Sequence, residues 1–223
     1  MSKVSRAIIL AAGRGHQVDG ISKILIKHPV TGMTILDHAI SAFHGKKITL
    51  VVGYRAIQIM QQYPQLDYVI NHEWALSNNA MSLGLSLDNE PSYVISGDIF
   101  IDSPLISELD ECGPNIALTE QRENRTLTAI HCILREDNTI AEVYQGAVRN
   151  MSHPEAIGLF KISDAKLLRN WKQLCVRHGN LFVAQTLPCN GMPIDSVPVK
   201  NHAFVEINTP ADYLRFMQET RPK

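Results

Sequence analysis

Apolar residues in this chain fall into short blocks of two kinds. The first kind is continuous. Six apolar residues from Ala7 to Ala12 run straight into Gly13-Arg14-Gly15, so 6–12 reads as a strand covered on both faces in a parallel sheet. The run 47–54 reads as a second buried strand, and 67–71 and 92–102 read as a third and a fourth strand, the last ending near Gly97-Asp98. The second kind is periodic. In 34–43, Ile35, Leu36, Ala39, Ile40 and Phe43 share one helical face, and 55–63 reads as a helix closed by Pro64. A short helix is expected over 78–87, where Met81, Leu83, Leu85 and Leu87 alternate with small and polar residues. Strands alternating with helices of this length imply βαβ units and a parallel sheet with helices on both sides.

After about residue 114 the pattern changes. The segments 115–121, 127–137, 139–145 and 156–163 read mainly as strands. Helices return at 164–179 and 180–188, and a last strand at 203–207 leads into a helix over 208–219. There Thr209 is the expected N-cap, with Pro210 at the first helical position and Asp212 at the third. No repeat, low-complexity stretch or Gly/Ser linker interrupts the chain. The expectation is one α/β domain over 1–223, a three-layer Rossmann-like fold with a mostly parallel mixed central sheet.

Composition narrows the partners. The 223 residues are 45% hydrophobic and 19% charged, ordinary for a globular protein. With 21 basic against 22 acidic residues, the net charge of -1 gives no attraction to a nucleic acid polymer. The N-terminal apolar run is too short for a signal or a membrane span, so a soluble cytoplasmic protein without membrane contact is expected. Cys112, Cys132, Cys175 and Cys189 form no Cys-x-x-Cys pair and read as reduced thiols. The nine histidines show no metal-binding spacing.

The chemistry concentrates at the glycine turn, where three phosphate-binding patterns compete. The dinucleotide fingerprint fits Gly13 and Gly15 but meets Val18 at its third glycine. The Walker A spacing fits Gly15 and Gly20 but has Ile21 where the lysine belongs. The third pattern, L-A-A-G-x-G with a downstream lysine, fits Leu10-Ala11-Ala12-Gly13-Arg14-Gly15 in full, with Lys23 as the cation. Small residues there let backbone N–H groups approach a triphosphate and a base, while Arg14 and Lys23 offset its charge.

This segment resembles the nucleotidyltransferase superfamily of GT-A-like, Rossmann-type fold, which includes sugar-1-phosphate nucleotidyltransferases and cytidylyltransferases. The stretch 71–87 is similar to the N-N-x-x-S-L helix start of phosphocholine and phosphonate cytidylyltransferases, through Asn78, Asn79, Ser82 and Leu83. The strand 93–101 resembles the one whose terminal aspartate binds magnesium, here Asp98, and 204–213 resembles the family's E-I-D-T segment, which maps Glu206 and Asn208 onto the metal site. The chain departs from the family at His16-Gln17 (usually Ser-Arg), at Ser22 before the lysine (usually proline), at Ser96 (often an aspartate) and at Asn208 (usually an aspartate).

The resemblance implies magnesium-dependent transfer of a nucleotidyl group, most naturally cytidylyl from CTP, to a small acceptor such as phosphocholine or 2-aminoethylphosphonate, with release of pyrophosphate. The acceptor phosphate is largely ionised at neutral pH, with a second pKa of about 6, so no general base is required. Lys23, Arg14 and Asp98 are the expected catalytic residues. Leu10 to Gly13, Gly15, Asn78, Asn79 and Ser82 would bind nucleotide, and Asp98, Glu206 and Asn208 would hold magnesium. Residues 1–114 would form the nucleotide half and 115–223 the β-rich acceptor half. Trp74, Tyr144 and Trp171 are candidates for an aromatic cage around a choline-like cation, although plain core or surface packing is the better account of each. A sugar- or polyol-phosphate nucleotidyltransferase, and a nucleotide-binding protein without turnover, remain as alternatives, and a homodimer is left open by fold analogy alone.

Overall fold

The computed structural model describes residues 4–15, 20–101, 103–123, 125–199 and 204–219; His16, Gln17 and Val18 lie outside them. Strands β1 (Arg6–Ala11), β2 (Lys47–Val52), β3 (Asp67–Ile70) and β4 (Ser92–Ser96) pair in parallel in the order β4-β1-β2-β3. Beyond β4 come β9 (Glu155–Ile162), then β6 (Asn115–Glu120) and β10 (Asp195–Pro198). β9 is antiparallel to both β4 and β6, and β10 is parallel to β6. One reversed strand therefore sits within an otherwise parallel row. The hairpin of β7 (Ile130–Leu134) and β8 (Ile140–Gln145) joins the sheet through β9.

Alternation along the central strands splits the interior into two cores. Ile9, Leu50 and Val52 face helices α1 (Ile35–Ala42), α2 (Ala56–Gln62) and α4 (Ser103–Glu111), through Leu36, Ile59 and Leu105. Ile8, Leu10 and Val51 face α3 (Asn79–Ser86) and α5 (Ala165–Arg177), through Leu83, Leu168 and Trp171. Strands buried on both faces need helices on both sides, and the continuous apolar runs reflect this. The three-layer arrangement with a mostly parallel sheet is the one the sequence implied.

Four local features differ from the sequence reading. The run 92–102 breaks at Gly97-Asp98: β4 stops at Ser96, and β5 (Ile99–Ile101) leaves the large sheet to pair antiparallel with β11 (Phe204–Glu206). Gly97 N–H donates to Leu10 O at 2.8 Å, and a Cβ on Gly97 would lie 2.7 Å from that oxygen. Two strands therefore converge at this point too closely for a side chain. The segment 180–188 forms only a 3-10 turn, Val183–Thr186. Its backbone is held by side chains instead, Phe182 N–H by Gln185 and Val183 N–H by Asn79. Helix α4 and strand β10 were not anticipated. The apolar face of α4 is narrow (Leu105, Ile106, Leu109), and β10 is a short edge strand containing Pro198, a weak signal on both counts.

The last helix, α6 (Pro210–Glu219), starts as expected. Asp212 N–H donates to Thr209 Oγ1 at 3.2 Å and Thr209 N–H donates back to Asp212 Oδ2 at 2.8 Å, closing a capping box. The cysteines are free thiols, and burial pushes Cys132 and Cys175 up to about 12. No helix among the described residues is long and apolar enough to cross a membrane.

Candidate active site

The carboxyl ends of β1 and β4 open into one cleft of about 1160 Å³, where an open α/β sheet places its ligands. The glycine turn forms one wall. Gly15 has φ of +63°, which a residue with a Cβ adopts only under strain. Gly13 has an ordinary φ, and a Cβ there would meet nothing within 4 Å. Nothing among the described residues requires glycine at 13; the bare backbone faces open cleft, as it would for a ligand seated against it. Beside the turn, Trp74 packs on Gly53 and meets Tyr54 at 5.2 Å between ring centroids, and Arg14 lies over the Tyr54 ring.

Asn78, Asn79 and Ser82 line the same cleft, and each also has a structural partner. Asn78 is the N-cap of α3. Asn79 Oδ1 accepts from Val183 N–H at 2.7 Å, and buried Ser82 accepts from Asn71 at 3.1 Å. The Asn79 bond ties the α3 start to the Phe182–Val183 wall. Asn79→Ala is therefore expected to lower stability by about 1–2 kcal/mol and to loosen that wall, raising at least one substrate KM. Urea denaturation and steady-state kinetics check both effects; an unchanged midpoint would show that the bond contributes nothing in solution.

The centre of the cleft is charged. Lys23 opens a 3-10 turn (Lys23–Leu25), and its Nζ donates to Asp98 Oδ2 at 3.0 Å and Asn208 Oδ1 at 3.1 Å. Lys23 is thus a largely enclosed ion-pair partner, 16% exposed, rather than a solvated cation. Burial and the Asp98 charge push the Glu206 carboxyl up to about 7, opposed by a hydrogen bond from Asn208 and by Arg122 and Lys23. The sequence-derived residues Gly13, Gly15, Arg14, Lys23, Asp98, Glu206 and Asn208 all line this cleft.

The donor set suits a hard divalent cation. Asp98 is close enough to disfavour the charge of Glu206, and a cation between the two carboxylates would relieve that repulsion. Asn208 is engaged differently from a bare ligand, since it accepts from Lys23 and donates to Glu206. Among the described residues no group of three or more His, Cys, Asp and Glu side chains is arranged around one point, so the remaining ligands would come from water and substrate.

The far wall was not read from the sequence. It carries Glu120, Arg122, Arg125 and Glu155. Arg122 Nε donates to Glu120 at 2.5 Å, and its Nη1 lies 3.4 Å from Glu155 and 3.6 Å from Glu206. Arg125 is 1% exposed and donates to the backbone oxygens of Arg122, Met151 and His153. The available signal was a run of mixed charges at 120–125 between two strands, which matches no motif. The three cage candidates do not converge. Trp74 lies by the glycine turn, Trp171 is fully buried and donates to Thr186, and Tyr144 packs against Arg149 and His153.

No protein-family model matches the chain, and no curated protein sequence does. Solved structures of nucleotidyltransferases share its fold over nearly the whole length. The CTP:phosphocholine cytidylyltransferase from Streptococcus pneumoniae is similar at TM-score 0.73 and 18% identity, covering 97% of this chain and 99% of that one. The inositol-1-phosphate CTP transferase from T. maritima is similar at TM-score 0.71 and 16% identity, covering 98% and 97%. The nucleoside-diphosphate-sugar pyrophosphorylase from Vibrio cholerae RC9 gives 0.71 and 13%, covering 95% and 99%. At these identities the likeness establishes the fold.

Proposed function

We propose that the protein transfers a nucleotidyl group, most naturally cytidylyl, from a nucleoside triphosphate to a small phosphate- or phosphonate-bearing acceptor and releases pyrophosphate. The observation that carries this reading is the convergence of the glycine turn, Lys23, Asp98 and Glu206 in one cleft large enough for two ligands. The turn's backbone and Arg14 would seat the triphosphate. Asp98 and Glu206 would hold magnesium, which when bound supplies charge screening between the two phosphates. Lys23, released from Asp98, would stabilise the charge gathering on the departing pyrophosphate. Holding the acceptor oxygen against the α-phosphorus is then the main task of the walls, since the nucleophile is already ionised. Asn78, Asn79 and Ser82 at the cleft support the cytidylyl choice, as do two of the similar structures, which are CTP-using enzymes by name.

Pyrophosphate release measured with each of four nucleoside triphosphates, magnesium and a panel of phosphorylated acceptors tests the reading. CTP giving the highest rate is the expected result. A clear preference for another base would remove the cytidylyl subclass. Nucleotide binding by calorimetry with no pyrophosphate release from any acceptor would favour a binding protein without turnover, the reading that Asn208 in place of a carboxylate favours.

A further inference from the structure

The far wall of the cleft holds an unbalanced set of charges. Three carboxylates meet two guanidiniums there: Arg125 stands beside Glu155 alone, and Arg122 faces Glu120, Glu155 and Glu206. Its Nε is committed to Glu120 and its Nη1 to Glu155, while Nη2 has no hydrogen-bond acceptor among the described residues. Arg122 lines the cleft next to Glu206, one of the two candidate magnesium ligands. Its loop is held from behind by Arg125, which is itself fixed by three backbone oxygens and by His131 Nδ1 at 3.2 Å. The guanidinium is thus pre-positioned, with one edge spare.

Glu155 shows the complementary deficit. It lines the cleft, is 5% exposed, and its Oε1 is buried with no hydrogen-bond donor among the described residues. The nearest cation, Arg125 Nε, stands 3.7 Å away, beyond hydrogen-bonding range. A buried carboxylate oxygen without a donor is costly, and burial holds this carboxyl above the usual range. Oε1 is closed to the cleft as it stands, so a ligand hydroxyl or ammonium hydrogen would satisfy it through a rotation of the Glu155 carboxylate toward the cleft the residue lines. A trimethylammonium has no hydrogen to give, so it would leave this oxygen unsatisfied even though Trp74, Phe182 and Phe204 also line the cleft.

We infer that Arg122 binds the acceptor's phosphate and that Glu155 selects hydrogen-bond donors on the acceptor's body, so that the site takes phosphate esters or phosphonates bearing hydroxyls or a primary ammonium and refuses quaternary ammonium compounds. This rests on the nucleotidyl-transfer reading and deepens it. Nη2 can donate to one phosphate oxygen directly, and the parallel two-point contact that distinguishes a guanidinium from a lysine follows if Nη1 gives up its long 3.4 Å contact to Glu155. The two cations have different partners. Lys23 pairs with Asp98 and Asn208, Arg122 pairs with Glu120 and Glu155, and Glu206 lies between the two groups, within the influence of both.

The test has two arms. Calorimetry with each nucleoside triphosphate and magnesium, without acceptor, is run on the wild type, Arg122→Gln, Arg122→Lys and Glu155→Gln. Comparable binding by all four is expected; no binding by the wild type would overturn the nucleotidyl-transfer reading itself. Pyrophosphate release is then followed with phosphoethanolamine against phosphocholine, which differ only by three methyl groups, and with 2-aminoethylphosphonate, glycerol 3-phosphate, inositol 1-phosphate and glucose 1-phosphate. The best acceptor is expected to be one with hydroxyls or a primary ammonium, used at least tenfold better than phosphocholine. Arg122→Gln is expected to raise its KM at least tenfold with the nucleotide KM changed less than threefold. Arg122→Lys should fall between, and Glu155→Gln should narrow the discrimination against phosphocholine. Phosphocholine as the best acceptor, an unchanged acceptor KM in both Arg122 variants, or parallel loss of nucleotide affinity would each overturn the inference.

Discussion

Asp98→Asn is expected to reduce turnover roughly a thousandfold while leaving the protein folded. The carboxylate leaves β4 at the glycine where β4 and β1 converge, and it faces Lys23 on one side and Glu206 on the other. Replacing it by an amide keeps the shape and a carbonyl oxygen but removes the charge that a hard cation requires. Stability should change little, because the lost Lys23 ion pair is offset by the relief of Asp98–Glu206 repulsion. Asn208→Asp makes the opposite change. In the structure Asn208 accepts from Lys23 and donates to Glu206, and an aspartate there cannot donate. That variant should melt lower in chelator, gain more stability from added magnesium than the wild type does, and reach half-maximal rate at lower magnesium. The magnesium dependence of pyrophosphate release and of the melting temperature, compared across the three proteins, is the measurement. Near-normal turnover of Asp98→Asn at low magnesium would move the metal site elsewhere.

Lys23→Ala should cost about a hundredfold in turnover and, because the ion pair is largely enclosed, about 1–2 kcal/mol of stability. A solvated lysine would give the first effect without the second. Without Lys23, Asp98 loses its ion-pair partner and still faces the repulsion of Glu206, so magnesium should restore part of the lost stability in the variant and less in the wild type. Chemical denaturation with magnesium and with chelator separates the two contributions. Full activity in Lys23→Ala would transfer the role to Arg14, the other cation of the turn.

The layered core and the glycine turn were legible because both are local. Runs such as Ala7–Ala12 announce burial on two faces, and a strand ending in Gly-Arg-Gly announces a backbone kept clear of side chains. Lys23, Asp98, Glu206 and Asn208 were legible only through resemblance, since they come from distant segments that no spacing connects. Arg122 and Glu155 were not legible at all. Their meaning lies in which partners each lacks, and hydrogen-bond satisfaction is a property of the folded neighbourhood. The same applies to 180–188, whose backbone is satisfied by Asn79, about a hundred positions earlier. The break at Gly97 depends on Leu10 O, which a linear reading of 92–102 does not contain.

The β5–β11 ribbon places two acidic groups far apart in the chain on one small hinge-like element. It joins only three residue pairs, Phe204 with Ile101, Val205 with Phe100 and Glu206 with Ile99, extended by Ile207 N–H donating to Asp98 O. Phe100 and Val205 rest on a minor cluster with Ile26, Ile35, Ile207 and Phe216, while Ile99 and Ile101 belong to the core under α1 and α4 and Phe204 packs against it. β5 is thus fixed by the core, and it is the half-buried three-residue β11 that can open from it while the sheet stays intact. Each opening would draw Glu206 away from Asp98 without unfolding the nucleotide wall. The fraction of molecules competent at any instant is then set by the local opening equilibrium of a few hydrogen bonds, and amide exchange at Val205 and Ile207 would report it long before global melting does.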